Sequence, residues 1–130
     1  MIKDYRSGAL KPFNFKKLIK NIPELGQLDC IIDTVSFDKP IDSSNMNTEH
    51  WVTLANIIGD RYLNYDSFVV LHGSDTMSYT SSALSYMLEN LCKPVIFTGS
   101  QLPIGDLRTD ATENLITSIQ IAALKENNVP

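Results

Sequence analysis

Apolar positions along the chain switch between two spacings, the helical one and the continuous run of a buried strand. Phe15, Leu18, Ile19 and Ile22 recur at helical spacing, and Pro23 closes that run. Leu28 to Phe37 is rich in β-branched residues and reads as a strand. A polar stretch, SFDKPIDSSNMN, follows, and its last residue, Asn47, suits a helix N-cap. Trp51, Leu54, Ile57, Ile58 and Tyr62 then return at helical spacing. Ser67 to Leu71 is short and apolar on both faces, as a buried parallel strand is. A helix is predicted from about Thr76 to Leu91, presenting Tyr79, Ala83, Leu84, Met87, Leu88 and Leu91. Pro94 to Thr98 is another buried strand. The last helix, from about Asp110 to Lys125, carries Leu115, Ile116, Ile119 and Ala123. The order β-α-β-α-β-α predicts an α/β fold, a parallel sheet with helices on both faces.

Length and composition are compatible with that fold and remove several function classes. The 130 residues suffice for one domain with a core. They are 43% hydrophobic and 20% charged, with a net charge of −4. Mild acidity argues against nucleic acid, since neutralising phosphates takes clustered Lys and Arg. The one basic cluster, Lys11, Lys16, Lys17 and Lys20, reads as a solvated helix face. No apolar run approaches the roughly 20 residues that span a bilayer, and the opening MIKDYRSGAL has no signal-peptide core. Cys30 and Cys92 have no metal-ligand spacing and read as two free thiols in a reducing cytoplasm.

In a parallel sheet, ligands bind outside the carboxyl ends of the strands. Each predicted strand is followed there by a polar loop: Asp42-Ser43-Ser44, His72-Gly73-Ser74-Asp75 and Gly99-Ser100-Gln101. HGSDTM is the most informative of these stretches. Gly73 permits a close backbone approach. Ser74 offers a hydroxyl and Asp75 a fixed charge beside it, next to the free N–H groups of a helix start. The same residues also suit plain helix capping. Asp42-Ser43-Ser44 suits a carboxylate site or an ordinary turn, and Gly99-Ser100-Gln101 is equally ambiguous. His72 lies two residues before Ser74, but no G-x-S-x-G elbow surrounds it, so a packed structural histidine is the better reading. His50 reads as a surface residue, and two isolated histidines make no metal site. Neither G-x-x-x-x-G-K-[ST] nor G-x-G-x-x-G is present, which disfavours a nucleotide-binding domain.

The run FVVLHGSDTMSYTSSALSYMLENLCKPVIFTGSQLP, with PIDSSNMNTEHW before it and DLRTDATENL after it, resembles the central part of bacterial type I, cytoplasmic L-asparaginases. The order and spacing agree over about residues 7–127. The resemblance implies a Rossmann-like or flavodoxin-like N-terminal domain of the asparaginase fold. It implies hydrolysis of L-asparagine to aspartate and ammonia, without metal or organic cofactor, in a homodimeric or homotetrameric cytoplasmic enzyme. On the matching positions, Ser74 stands for a catalytic threonine and Asp75 for its neighbouring aspartate, which also holds the substrate α-ammonium. Ser43 matches the serine that holds the α-carboxylate, with Ser44 beside it, and Ser100 and Gln101 match a loop lining the pocket.

Three departures accompany the match. Ser74 keeps the hydroxyl of the family threonine but loses the methyl that restricts χ1. The family's G-G-T-I strand, with its usual nucleophile, has no counterpart, and neither do its later lysine and C-terminal domain. Tyr5 falls in the region of the family's lid. Residues 1–130 are thus expected to form a single partial domain, inactive alone and prone to self-association through an uncovered sheet edge. The alternative is a non-catalytic amino-acid-binding or assembly module of the same fold.

Overall fold

A computed structural model describes residues 22–124, together with the backbone of two short strands. These are β1 (Ile2–Lys3) and β2 (Leu10–Lys11), an antiparallel pair with Ile2 opposite Lys11 and Lys3 opposite Leu10. Tyr5, the Lys16, Lys17 and Lys20 of the basic cluster and the helix expected over 15–22 lie outside the described residues, save that Ile22 is buried just before a 3-10 turn, Pro23–Gln27; Lys11 lies in β2 and not on a helix.

The centre of the fold is a parallel pair, β3 (Phe68–Leu71) and β4 (Val95–Thr98), in register from Phe68–Val95 to Leu71–Thr98. Alternation along the strands divides their side chains between two cores. Phe68, Val70, Val95 and Phe97 pack on Leu54 and Ile58 of α1 (Thr48–Arg61) and on Leu84 of α2 (Met77–Met87). Val69 packs on the opposite side, against Ile22, Leu25 and the Leu115 and Ile119 of α3 (Ala111–Ala123). Helices therefore cover both faces, and the continuous apolar runs of the strands follow from that double burial. Each fully buried Leu or Ile contributes about 1.5–3 kcal/mol relative to exposure, and Leu84 is only 1% exposed.

Local chemistry sets the ends of the helices. Asn47 caps α1: its side chain accepts the His50 N–H at 3.1 Å, while His50 Nδ1 accepts the Asn47 N–H at 3.3 Å. Beyond the other end of α1, the Lys93 ammonium donates to the Tyr62 and Tyr65 carbonyls and lies 4.8 Å over the Tyr62 ring. Helix α2 stops at Met87, four residues short of the expected Leu91. Asn90 turns left-handed at φ 54°, and the Cys92 N–H goes to the Tyr62 hydroxyl instead of a helical carbonyl.

Three expectations need correction. Residues 28–37 form no ladder, although their exposure alternates as in a strand and Cys30 and Ile32 pack on the same core as Val69. The side-chain period is that of extended chain, but main-chain pairing, which periodicity does not report, is missing. In α2 the buried line is Thr80 and Leu84, while Tyr79 is 67% exposed. A hydroxyl with two partners takes the position that hydrophobicity alone assigns to an aromatic ring. In α3 the buried line is Leu115, Ser118, Ile119 and Ala122, and Ala123 is exposed. Ser118 is tolerated there because its hydroxyl donates to the Asn114 carbonyl at 2.7 Å.

Candidate functional site

The loop that follows β3 meets the 42–44 turn at the carboxyl edge of the sheet, and the loop that follows β4 packs against His72 beside it. His72 extends the ladder by donating its N–H to the Thr98 carbonyl at 2.9 Å, and the chain then turns at Gly73. A Cβ at Gly73 would overlap Ser43 Oγ and lie 2.6 Å from Ser43 Cβ. Glycine is therefore required here for close approach. Ser43, 4% exposed, fills that space inside a short 3-10 turn, Ser43–Asn45, whose N-cap Asp42 accepts the Ser44 N–H at 3.1 Å.

Two contacts join these segments across more than thirty residues of sequence. Ser43 Oγ donates to Asp75 Oδ2 at 2.8 Å, a charge-assisted bond. Thr76 Oγ1 donates to the Ser43 carbonyl at 2.7 Å. Asp75 is exposed, and its second oxygen meets no donor among the described residues. Ser74 is exposed beside it, and its hydroxyl has no hydrogen-bond partner among the described residues. Ser44 is exposed as well.

His72 is engaged at both ring nitrogens. Nδ1 lies 2.7 Å from the Gly73 carbonyl, which can only accept, so Nδ1 carries the proton. In the neutral ring Nε2, 2.9 Å from Thr80 Oγ1, is then the acceptor. The Thr80 hydroxyl donates to it and accepts the Trp51 indole N–H at 3.0 Å. Thr80 is 0% exposed. The chain Trp51–Thr80–His72–Gly73 thus ties α1 and α2 to the turn before Ser74. This is the packed structural histidine expected, and it leaves His72 without a nitrogen free to serve Ser74.

The third loop is pressed against the same turn. A Cβ on Gly99 would overlap the His72 carbonyl oxygen and lie 3.8 Å from Met77 Sδ. Ser100 is half-buried and Gln101 exposed. Gln101 and Leu102 donate their N–H groups to the carboxylate of Asp110 at 3.0–3.1 Å. Those amides, that of Gln101 first, hold the Asp110 carboxyl below the usual carboxylate range. Asn114 Nδ2 donates both to the Gly99 carbonyl at 2.9 Å and to Asp110 Oδ2 at 3.1 Å. Sequence reasoning took Asp110 only as a helix start and did not single out Asn114, Thr80, Thr76 or Trp51 as site supports. An Asp four residues before an Asn at a helix start, just after a Gly-Ser-Gln loop, was the available signal.

The arrangement gathers a carboxylate with a free oxygen and the hydroxyls of Ser43 and Ser74 around the tight turn at Gly73. Comparison with known proteins decides the family. Residues 1–130 match the profile described as Asparaginase, N-terminal. The chain belongs to the asparaginase family. The L-asparaginase 1 of Escherichia coli K12 is 55% identical over 83 residues, which is 64% of this chain and 25% of that protein. Among solved structures, L-asparaginase I of Vibrio cholerae O1 biovar eltor superimposes with a TM-score of 0.76 at 45% identity, covering 83% of this chain and 33% of that one. The thermostable L-asparaginase of Thermococcus kodakarensis gives 0.84 at 33% identity, covering 94% and 37%.

This asparaginase-family chain therefore spans between a quarter and just over a third of the length of these relatives. The α/β expectation holds, since both structural neighbours share the parallel strands flanked by helices. No helix among the described residues is long and apolar enough to cross a membrane.

Proposed function

We propose that this chain carries the amino-acid-recognising part of an L-asparaginase site. The observation that supports this most directly is the 2.8 Å bond between Ser43 Oγ and Asp75 Oδ2. It sets a hydroxyl donor beside a carboxylate, the pair needed to grip the α-carboxylate and the α-ammonium of one amino acid. When the ligand enters, Ser43 turns its donor to the α-carboxylate, and the ammonium replaces it on Asp75. Ser44 adds a second donor at the carboxylate end. Ser74 lies next to Asp75 as an assisting hydroxyl, and Ser100 and Gln101 line the pocket from the neighbouring loop.

The reaction assigned to the site is hydrolysis of L-asparagine. A hydroxyl adds to the side-chain amide carbon, the tetrahedral intermediate expels ammonia, and water releases aspartate from the acyl-enzyme. Ser74 Oγ is hydrogen-bonded to no group among the described residues that would take its proton. Residues 1–130, as a single partial domain, are accordingly proposed to bind the amino acid but to turn it over poorly alone. The whole enzyme is proposed to be a cytoplasmic homodimer or homotetramer. The unpartnered Ser74 hydroxyl also favours the second reading, a non-catalytic amino-acid-binding module.

The test combines ammonia release from L-asparagine with calorimetric binding of L-aspartate, using the chain and its Ser74→Ala variant. Binding of L-aspartate with negligible ammonia from either is the expected result. Rapid ammonia release that vanishes in Ser74→Ala would make Ser74 a self-sufficient nucleophile and overturn the division of labour. No binding of either amino acid would overturn the recognition role itself.

A further inference from the structure

The first turns of α3 spend their polar groups on the loop before it and little on the helix itself. Asp110 occupies the N-cap of α3, yet its side chain caps nothing in its own helix. Its carboxylate accepts the N–H groups of Gln101 and Leu102 and the amide of Asn114. The α3 Ala111 N–H is taken by the Thr109 hydroxyl instead, which in turn donates to the Leu102 carbonyl at 3.0 Å. Asn114, one turn further along, reaches back to the Gly99 carbonyl.

The loop is thereby fixed at Gly99, Gln101 and Leu102, on both sides of one residue. That residue is Ser100, whose polar groups make no hydrogen bond among the described residues. Gly99 lies at the same time close against the His72 carbonyl, two residues before Ser74. An aspartate placed for helix stability would cap its own N–H groups, and removing such a cap typically costs only about 1 kcal/mol of stability. Here the strongest acceptor in the region is directed outward, at consecutive main-chain amides.

We propose that Asp110 and Asn114 are positioning residues that hold Ser100 in place against the amino-acid site. This rests on the recognition role proposed above. Neither side chain touches the ligand. They act by keeping the polar groups of Ser100 preorganised, so that the ligand does not have to order the loop on binding.

The test uses the whole chain with three substitutions: Asp110→Asn, Asn114→Ala and, as a control within the same helix, Ser118→Ala, which loses a bond to the Asn114 carbonyl but none to the loop. Amide exchange at Gln101 and Leu102 is read by NMR, and L-aspartate affinity by titration. In Asp110→Asn and Asn114→Ala, loop amides are expected to exchange at least about tenfold faster, and affinity to fall about tenfold, as losing a bond to a charged group implies. Ser118→Ala is expected to speed exchange in α3 while leaving the loop amides and affinity unchanged.

Faster loop exchange with wild-type affinity in Asp110→Asn would overturn the inference, because the loop would be anchored but not used. Equal effects from Ser118→Ala would also overturn it, as a general loss of helix stability. If the unaltered chain binds no L-aspartate, the recognition role fails and this inference fails with it. Binding by the unaltered chain that is indifferent to Asp110→Asn removes this inference alone.

Discussion

Thr80→Val is a sharp probe of what holds the Ser74–Asp75 turn, because it exchanges a hydroxyl for a methyl at nearly constant shape. Thr80 is 0% exposed, and its hydroxyl joins the Trp51 indole N–H at 3.0 Å to His72 Nε2 at 2.9 Å. Valine leaves both partners without their bond in a space closed to water. Each stranded polar group costs about 1–3 kcal/mol, and the extra buried methyl returns only part of that. Both partners are half-buried, so relaxation toward solvent lowers the sum, and a net loss of about 2–4 kcal/mol is expected. Against a typical total of about 5–15 kcal/mol this is a large fraction. Thr80→Ser keeps the hydroxyl and removes one methyl, costing about 1 kcal/mol. Urea unfolding of the three proteins reads the difference, and the 15N shifts of His72 read its tautomer. The unaltered chain is expected to carry its imidazole proton on Nδ1. Thr80→Val within about 0.5 kcal/mol of the unaltered chain, the ordinary scatter of an inconsequential substitution, would refute the relay. So would a larger loss for serine than for valine.

Other substitutions test the packing and the linkages around the site. Gly73→Ala puts a methyl into Ser43 without backbone strain, since only Gly105 among the described glycines has a positive φ; overpacking of about 1–3 kcal/mol is expected in urea unfolding, together with weaker L-aspartate binding as Ser43 and Asp75 are forced apart. Gly59→Ala is the contrasting case, because a Cβ there meets nothing within 4 Å in α1; a gain of about 0.5–1 kcal/mol is expected from helix propensity. Tyr65 donates to Asp33 at 2.9 Å, and that bond, with the charge of Asp33, raises its pKa above 10.0. A raised folded-state pKa means stability that is complete below pH 10.0 and lost as pH rises through the folded value, so unfolding curves should converge with those of Tyr65→Phe in strong base.

Much of the fold was legible because burial imposes periods on the chain. Both strands carrying the site were read within one residue of their ends, and Asn47 was found as a cap because its side chain has a fixed local geometry. The common edge of the loops after β3 and β4 followed from parallel strand direction, whereas the 42–44 turn reaches that edge with no paired strand before it. What escaped has a common physical origin: hydrogen bonds between segments distant in sequence. The 28–37 run has the alternation of a strand but not the pairing. Thr80 is a buried polar residue whose partners, His72 and Trp51, cannot be told from composition. Asp110 has the residue type of a helix cap and uses it on another segment. The bond from Ser43 to Asp75 spans 32 positions, and only the fold shows that both side chains share one space.

The central claim is that the turns at Ser43, Ser74–Asp75 and Ser100–Gln101 form one amino-acid site. Titration of the 15N-labelled chain with L-aspartate, followed by amide shifts, tests it most directly. Saturable shifts at Ser43, Ser44, Ser74, Asp75, Ser100 and Gln101 are predicted, lost in Asp75→Asn and absent with succinate, which lacks the α-ammonium. Shifts confined to Phe37, Asp38, Pro40 and His50, which line a hollow on the other side of Asp42 and Asn45, or an equal response to succinate, would contradict it.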